Sequence, residues 1–193
     1  VEEPLEIRVA FSTADGRATR SLSITMRTPG DDEELAAGFL LGESIIRRRN
    51  DIAAIEACGP PAPDSGNHNV VRVELAPDVE LDLDRLQRHF YTTSSCGVCG
   101  KTSLDALRAV GAEPQTGNTT VFPHDVLARV PRSLRAAQAT FDKTGGLHAA
   151  AAFTAAGELV VTREDVGRHN AVDKVMGALL LEGRLPAPDL GLM

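Results

Sequence analysis

The chain has 193 residues, 42% hydrophobic and 24% charged, and its 20 Lys plus Arg against 27 Asp plus Glu give a formal net charge of −7. This is a globular mix, enough for one large domain or two small ones, and it excludes collagen-like and wholly disordered classes. The acidic balance argues against a protein that coats nucleic acid through its phosphates, and 4% aromatics with no Trp and one Tyr argue against a base-stacking platform.

In chain order, Leu5, Ile7, Val9 and Phe11 alternate with polar residues at strand period, Asp15-Gly16 supplies a turn, and Leu22, Ile24 and Met26 repeat the alternation. Thr28-Pro29-Gly30 breaks the second strand. Asp31 to Ile46 reads as a helix. Acidic Asp31 to Glu34 suit its N-terminus, Arg47 to Arg49 its C-terminus, and Ala36, Ala37 and Gly38 permit close packing. Cys58 to Asn69 holds three Pro and two Gly and is expected to be a loop, with Cys58 at its edge. Val70 to Leu75 reads as a strand, and Leu81 to Phe90 and Leu104 to Val110 as short helices.

Gly111 to Asn118 is a loop, and Pro123 to Phe141 reads as two short helices broken near Pro131. Leu147 to Thr154 and Leu159 to Thr162 flank Ala156-Gly157 as a hairpin, and Asn170 to Leu181 closes as an amphipathic helix. No internal repeat or low-complexity tract is legible. Alternating strands and helices point to one α/β domain with the first hairpin as an added lobe.

No run approaches the roughly 18 apolar residues of a membrane span. The start, Val1-Glu2-Glu3-Pro4, lacks both an initiator Met and the basic-then-apolar order of a signal peptide, and Met193 ends an apolar stretch. The expectation is a fragment of a cytoplasmic protein. Three cysteines, Cys58, Cys96 and Cys99, are odd in number and few for a disulfide scaffold, which fits a reducing compartment.

Three segments carry candidate chemistry. The first is Thr92-Thr93-Ser94-Ser95-Cys96-Gly97-Val98-Cys99-Gly100-Lys101. A Cys-x-x-Cys brings two sulfurs together and suits a disulfide, half a zinc site or a sulfur relay. The hydroxyls and glycines suggest an exposed loop, and Lys101 together with a helix start near Ser103 would favour thiolate. A base-deaminase zinc site would need His-x-Glu, and no His here is followed two residues later by Glu. The pair is mid-chain, which weakens a thioredoxin-like reading.

The second segment is Arg163 to Lys174, where a strand runs into a helix and backbone N–H groups gather at the mouth of a sheet. His169 and Asp173, and Asn170 and Lys174, are neighbours at i, i+4. Capping by Asp165 or Asn170 at a solvated helix start explains the same residues without a ligand. The third is Thr144-Gly145-Gly146-Leu147-His148, whose paired glycines allow either close approach to a ligand or a plain turn.

Together with Glu34-Leu35-Ala36-Ala37-Gly38-Phe39-Leu40-Leu41-Gly42-Glu43, these blocks resemble the formate dehydrogenase accessory proteins, the FdhD family of sulfur carriers, and they run through nearly the whole chain. The resemblance implies a sulfurtransferase. A cysteine desulfurase would load sulfur onto Cys96, with Cys99 as the second position. The sulfur would pass to the molybdenum or tungsten of the bis(molybdopterin guanine dinucleotide) cofactor of formate dehydrogenase.

The resemblance also implies a cytidine-deaminase-like three-layer α/β fold without catalytic zinc, and a homodimer. The single domain 1–193 would divide into a β-rich lobe of about 1–75 and a core of about 76–193. That core would be incomplete at the C-terminus, where family members continue with a glycine- and arginine-containing stretch tied to the nucleotide. The cofactor side would be lined by Gly145, Gly146, His148, Asp165, His169 and Asn170. No resident metal, nucleic-acid partner or membrane span is expected. Two other readings stay open: a non-catalytic chaperone for the molybdenum cofactor, and a small zinc or redox protein built on the cysteine pair.

Overall fold

A computed structural model describes residues 2–81 and 118–193. The Cys96–Cys99 segment, the helix expected at Leu104–Val110 and all but the first residue of that expected at Leu81–Phe90 lie outside the described residues.

Strands β1 (Glu3–Thr13) and β2 (Gly16–Arg27) form the expected hairpin, with Thr13 opposite Gly16. Gly16 has φ 125°, a conformation that glycine reaches without strain. Leu5, Ile7, Val9 and Phe11 point to the core, each no more than 3% exposed. Strand β3 (Ile52–Pro61) and strand β4 (His68–Leu75) complete a four-stranded sheet of order β2-β1-β4-β3, with β1 and β4 parallel and the other pairs antiparallel. The loop expected from Cys58 is therefore shorter. Cys58 lies within β3 opposite Val70, and the strand runs to Pro61 because β3 is a sheet edge, where proline is tolerated.

Helix α1 (Asp32–Gly42) stops four residues before the expected end. After Gly42, Ser44 takes φ 57° and reverses the chain, so Ile46 reaches the core from a turn. Arg47 to Arg49 consequently lie beyond the helix, where the Arg47 and Arg48 backbone N–H groups donate to the Asp51 carboxylate.

The second half builds helix α2 (His124–Ala137), the short helix α3 (Phe141–Thr144), strands β5 (His148–Thr154) and β6 (Leu159–Asp165), helix α4 (Arg168–Leu181) and strand β7 (Leu190–Leu192). The break expected near Pro131 does not occur. Pro131 is an exposed residue inside α2, and the apolar stripe Val126, Val130 and Leu134 packs the helix down despite one lost backbone bond. The sheet order is β6-β5-β7, all antiparallel. Ala150, Ala152 and Val161 pack under Ala171, Val175, Ala178 and Leu179 of α4, while Phe153 packs with Val126 and Val130 of α2. This half is thus helix on sheet on helix.

Although no repeat is legible in the sequence, the chain twice builds a hairpin followed by a helix: β1-β2-α1 and β5-β6-α4. The two helices meet reciprocally. A Cβ placed on Gly38 would stand 1.8 Å from the Asp173 carbonyl oxygen, and one on Gly177 would stand 1.8 Å from that of Glu34. Each glycine follows by four residues the residue that the other glycine contacts. Backbone touches backbone at this crossing, and it joins the two sheets into one body.

Candidate functional site

The structure brings two of the three candidate segments together at one end of the β5–β6 sheet. In the antiparallel register His148, the first residue of β5, lies opposite Asp165, the last of β6. The diglycine turn therefore ends where the β6–α4 junction begins. Gly145 caps α3 with φ 71°, its N–H donating to the Phe141 carbonyl at 2.7 Å. Gly146 has nothing within 4 Å of where a Cβ would stand. The segment is pinned by a residue that sequence reasoning passed over. The Glu164 carboxylate accepts the Thr140 and Phe141 backbone N–H groups, each at 2.8 Å, and so holds the start of α3 to β6.

Behind the junction lies a buried polar network. Asp165 is 0% and Lys174 1% exposed, and they pair at 2.8 Å. Asp165 Oδ1 accepts from the Gly167 N–H and from Asn170 Nδ2, both at 2.9 Å, and Oδ2 also accepts the Thr28 N–H at 3.1 Å. Asn170 Nδ2 donates as well to the Met26 carbonyl at 2.8 Å. Lys174 donates to the Thr28 carbonyl at 2.9 Å, and Thr28 Oγ1 accepts the Val166 N–H at 3.1 Å. Every charge has partners, the condition under which ions survive burial.

The i, i+4 neighbours Asn170 and Lys174 thus converge on Asp165. Thr28, visible in sequence only as part of a strand-breaking tripeptide, docks Asp165, Val166 and Lys174, while Asn170 reaches Met26 and Thr25. Asp165 and Asn170 turn inward, so their part in the site is to place the first turn of α4.

That first turn faces outward. Gly167 is its N-cap, no side chain caps it, and it holds no acidic residue. Arg168 and His169 are exposed, as is His148. In a chain of net charge −7, a helix N-terminus flanked by these side chains is a local electropositive surface suited to an anionic group. By contrast the α1 start is acidic and already committed. Arg27, fully buried, grips Asp32 with two bonds of 2.9 Å, and Arg163 grips Glu34 at 2.5 and 2.7 Å.

Asp173, one turn after His169, faces α1 instead. Burial first, and the Glu43 charge second, push its carboxyl up to about 7. Among the described residues Cys58 is a free thiol, and no group of three or more His, Cys, Asp or Glu is placed to hold a metal ion. No helix among them is long and apolar enough to cross a membrane.

Comparison with known proteins gives a consistent result. The family model described as FdhD/NarQ matches residues 1–192. The chain is 52% identical over 188 residues to a sulfur carrier protein FdhD of Streptomyces coelicolor, covering 96% of this chain and 64% of that protein. It is 40% identical over 187 residues to the protein of the same name in Saccharolobus solfataricus, covering 97% of this chain and 64% of the relative. A crystal structure of a candidate formate dehydrogenase accessory protein from Desulfotalea psychrophila superposes with a TM-score of 0.64 at 25% identity, over 100% of this chain and 63% of that one. The chain thus spans a little under two thirds of the length of these relatives.

Proposed function

The chain belongs to the FdhD/NarQ family, and from that premise we propose that it is a sulfur carrier serving formate dehydrogenase. The observation that carries the reading is the Cys96-Gly97-Val98-Cys99 pair in a chain whose relatives are named sulfur carrier proteins. The Cys96 thiolate attacks the outer sulfur of a cysteine desulfurase persulfide, and the desulfurase thiolate leaves. Attack by Cys99 on the inner sulfur of the Cys96 persulfide then forms a Cys96–Cys99 disulfide and releases the outer sulfur as sulfide. The cysteine pair supplies the two electrons. The acceptor is the metal of the bis(molybdopterin guanine dinucleotide) cofactor, bound as substrate.

The outward turn of α4 and the Gly145-Gly146 turn take the anionic part of that substrate. Arg168, His169 and His148 face it, while Asp165 and Asn170 hold the turn from behind. The cytidine-deaminase-like fold is part of the same reading, supported by the helix–sheet–helix packing of α4, the β6-β5-β7 sheet and α2. So are a homodimer and a cytoplasmic location, the latter in keeping with three cysteines in 193 residues.

The test is intact-mass spectrometry of the full-length protein without reductant, after incubation with a cysteine desulfurase and cysteine. The expected result is a gain of one sulfur that reductant reverses, lost in Cys96→Ala and retained in Cys99→Ala. No adduct on folded protein overturns the carrier reading. It would favour the cofactor chaperone, because the described anion-facing turn is complete without the cysteines. The acceptor side has its own expected outcome. Arg168→Ala and His169→Ala each weaken guanine nucleotide binding by about tenfold, as expected for loss of a charge-assisted hydrogen bond, and leave the melting temperature unchanged because both side chains are exposed. Unchanged affinity, read by calorimetry, rejects the assignment of this turn.

A further inference from the structure

Asp173 sits in the α1–α4 crossing and takes no part in the Asp165 network. Its carbonyl oxygen fills the space that a Gly38 side chain would need, and its Oδ1 lies against Gly42, 3.7 Å from where a Cβ would stand. The carboxyl is therefore seated over the last turn of α1, the end at which the helix dipole is negative. Glu43 follows that turn and is the charge that acts on it.

Of the cations on the packed elements, Lys174 of α4 turns to Asp165, while Arg168, His169 and Arg47 are exposed and none of them pairs with Asp173. On β6 Arg163 holds Glu34, and in the loop after α1 Arg48 holds Asp51. Among the described residues no cation pairs with Asp173. Asp173 is half-buried, and facing another carboxylate and a helix C-terminus disfavours its charged form.

We propose that the α1–α4 crossing is a proton-sensitive joint: with Asp173 neutral the helices close on one another through Gly38 and Gly177, and with Asp173 ionised the crossing loosens while the Asp165 network still holds the first turn of α4. Burial, then Glu43, puts the midpoint at about 7, so the two forms are balanced near neutral pH. The folded protein keeps this proton in a range where the unfolded chain has lost it. The joint's contribution to stability is therefore present at pH values below about 4 and is lost as pH rises to about 7, above which the profile is flat.

The experiment compares the full-length wild type with Asp173→Asn and Glu43→Gln by hydrogen exchange and urea unfolding between pH 5 and 8.5. In the wild type, protection of the α1 and α4 amides, corrected for intrinsic exchange, falls by up to about tenfold per pH unit between pH 5 and 7. Asp173→Asn flattens this fall, and Glu43→Gln moves it to lower pH. Parallel profiles for wild type and Asp173→Asn overturn the proposal. If Asp173→Asn does not fold, the carbon-13 titration of the Asp173 carboxyl in the wild type decides, and a midpoint in the ordinary carboxylate range also overturns it. A normal sulfur adduct with a flat protection profile rejects the joint and keeps the carrier. A pH-dependent joint without an adduct does the reverse.

Discussion

Gly38→Ala is expected to destabilise the full-length protein by about 3 kcal/mol or more, the upper range for overpacking and a large part of a typical domain's 5–15 kcal/mol. In an ordinary helix interior the same change gains up to about 1 kcal/mol, because alanine is the better helix former. The sign is reversed here by one contact: the new Cβ would stand 1.8 Å from the Asp173 carbonyl oxygen and 2.8 Å from its Cα. No rotamer relieves a clash with backbone, so the helices must separate, and the cores on either side of them part as well. Gly177→Ala is expected to match it, since its Cβ would meet Glu34 backbone at the same distance. Gly42→Ala is the control. On the same helix its Cβ meets only Asp173 Oδ1 at 3.7 Å, an ordinary contact, so the effect is within about 0.5 kcal/mol of zero. Urea midpoints at constant slope check the ranking. Equal midpoints for the Gly38 and Gly42 variants would show that the helices do not touch as described.

This crossing illustrates what one-dimensional pattern can and cannot carry. Ala36-Ala37-Gly38 is recognisable as a surface for close packing, but its partner Gly177 lies 139 positions away and is itself just a glycine in an amphipathic helix. The β1–β2 hairpin was legible because alternation and a turn residue are local properties. Strand β3 was not, because Ala53-Ala54-Ile55-Glu56-Ala57-Cys58 is poor in β-branched residues and the strand ends in Pro60 and Pro61, which only an edge position accommodates. The continuity of α2 through Pro131 follows from the Val126, Val130 and Leu134 stripe, whose packing outweighs one missing bond.

At the candidate site, sequence singled out the stretch Arg163 to Lys174, since a dense polar run at a strand–helix junction is a local signal, and the structure places that stretch beside the diglycine turn. It did not separate the residues that face outward from those that face in. Asp165 and His169 look equally available in sequence. Thr28, supplied by the other hairpin–helix unit, turns Asp165 inward and leaves His169 exposed.

That inward pair sets the second large effect, and the structure predicts an asymmetry within it. Lys174→Met removes a buried ammonium of similar length and leaves Asp165 with three donors, the Thr28 and Gly167 N–H groups and Asn170 Nδ2. The Thr28 carbonyl loses one donor. The expected loss is about 3 kcal/mol, the lower end for breaking a buried pair. Asp165→Leu removes the acceptor for all four donors at once and leaves the Lys174 ammonium 1% exposed with the Thr28 carbonyl as its remaining described partner. This variant is expected to lose about 5 kcal/mol, the upper end of the same range, and to free the β6–α4 junction from Thr28. In Asp165→Leu/Lys174→Met no charge is stranded, so the double variant is expected to be more stable than Asp165→Leu alone, which requires a coupling of more than about 3 kcal/mol in the cycle. Denaturant unfolding of the four proteins measures this directly, and exchange of the Thr28, Val166 and Gly167 amides reports whether the junction has come loose. Additive losses would mean that Asp165 and Lys174 act separately, each through its own bonds to Thr28.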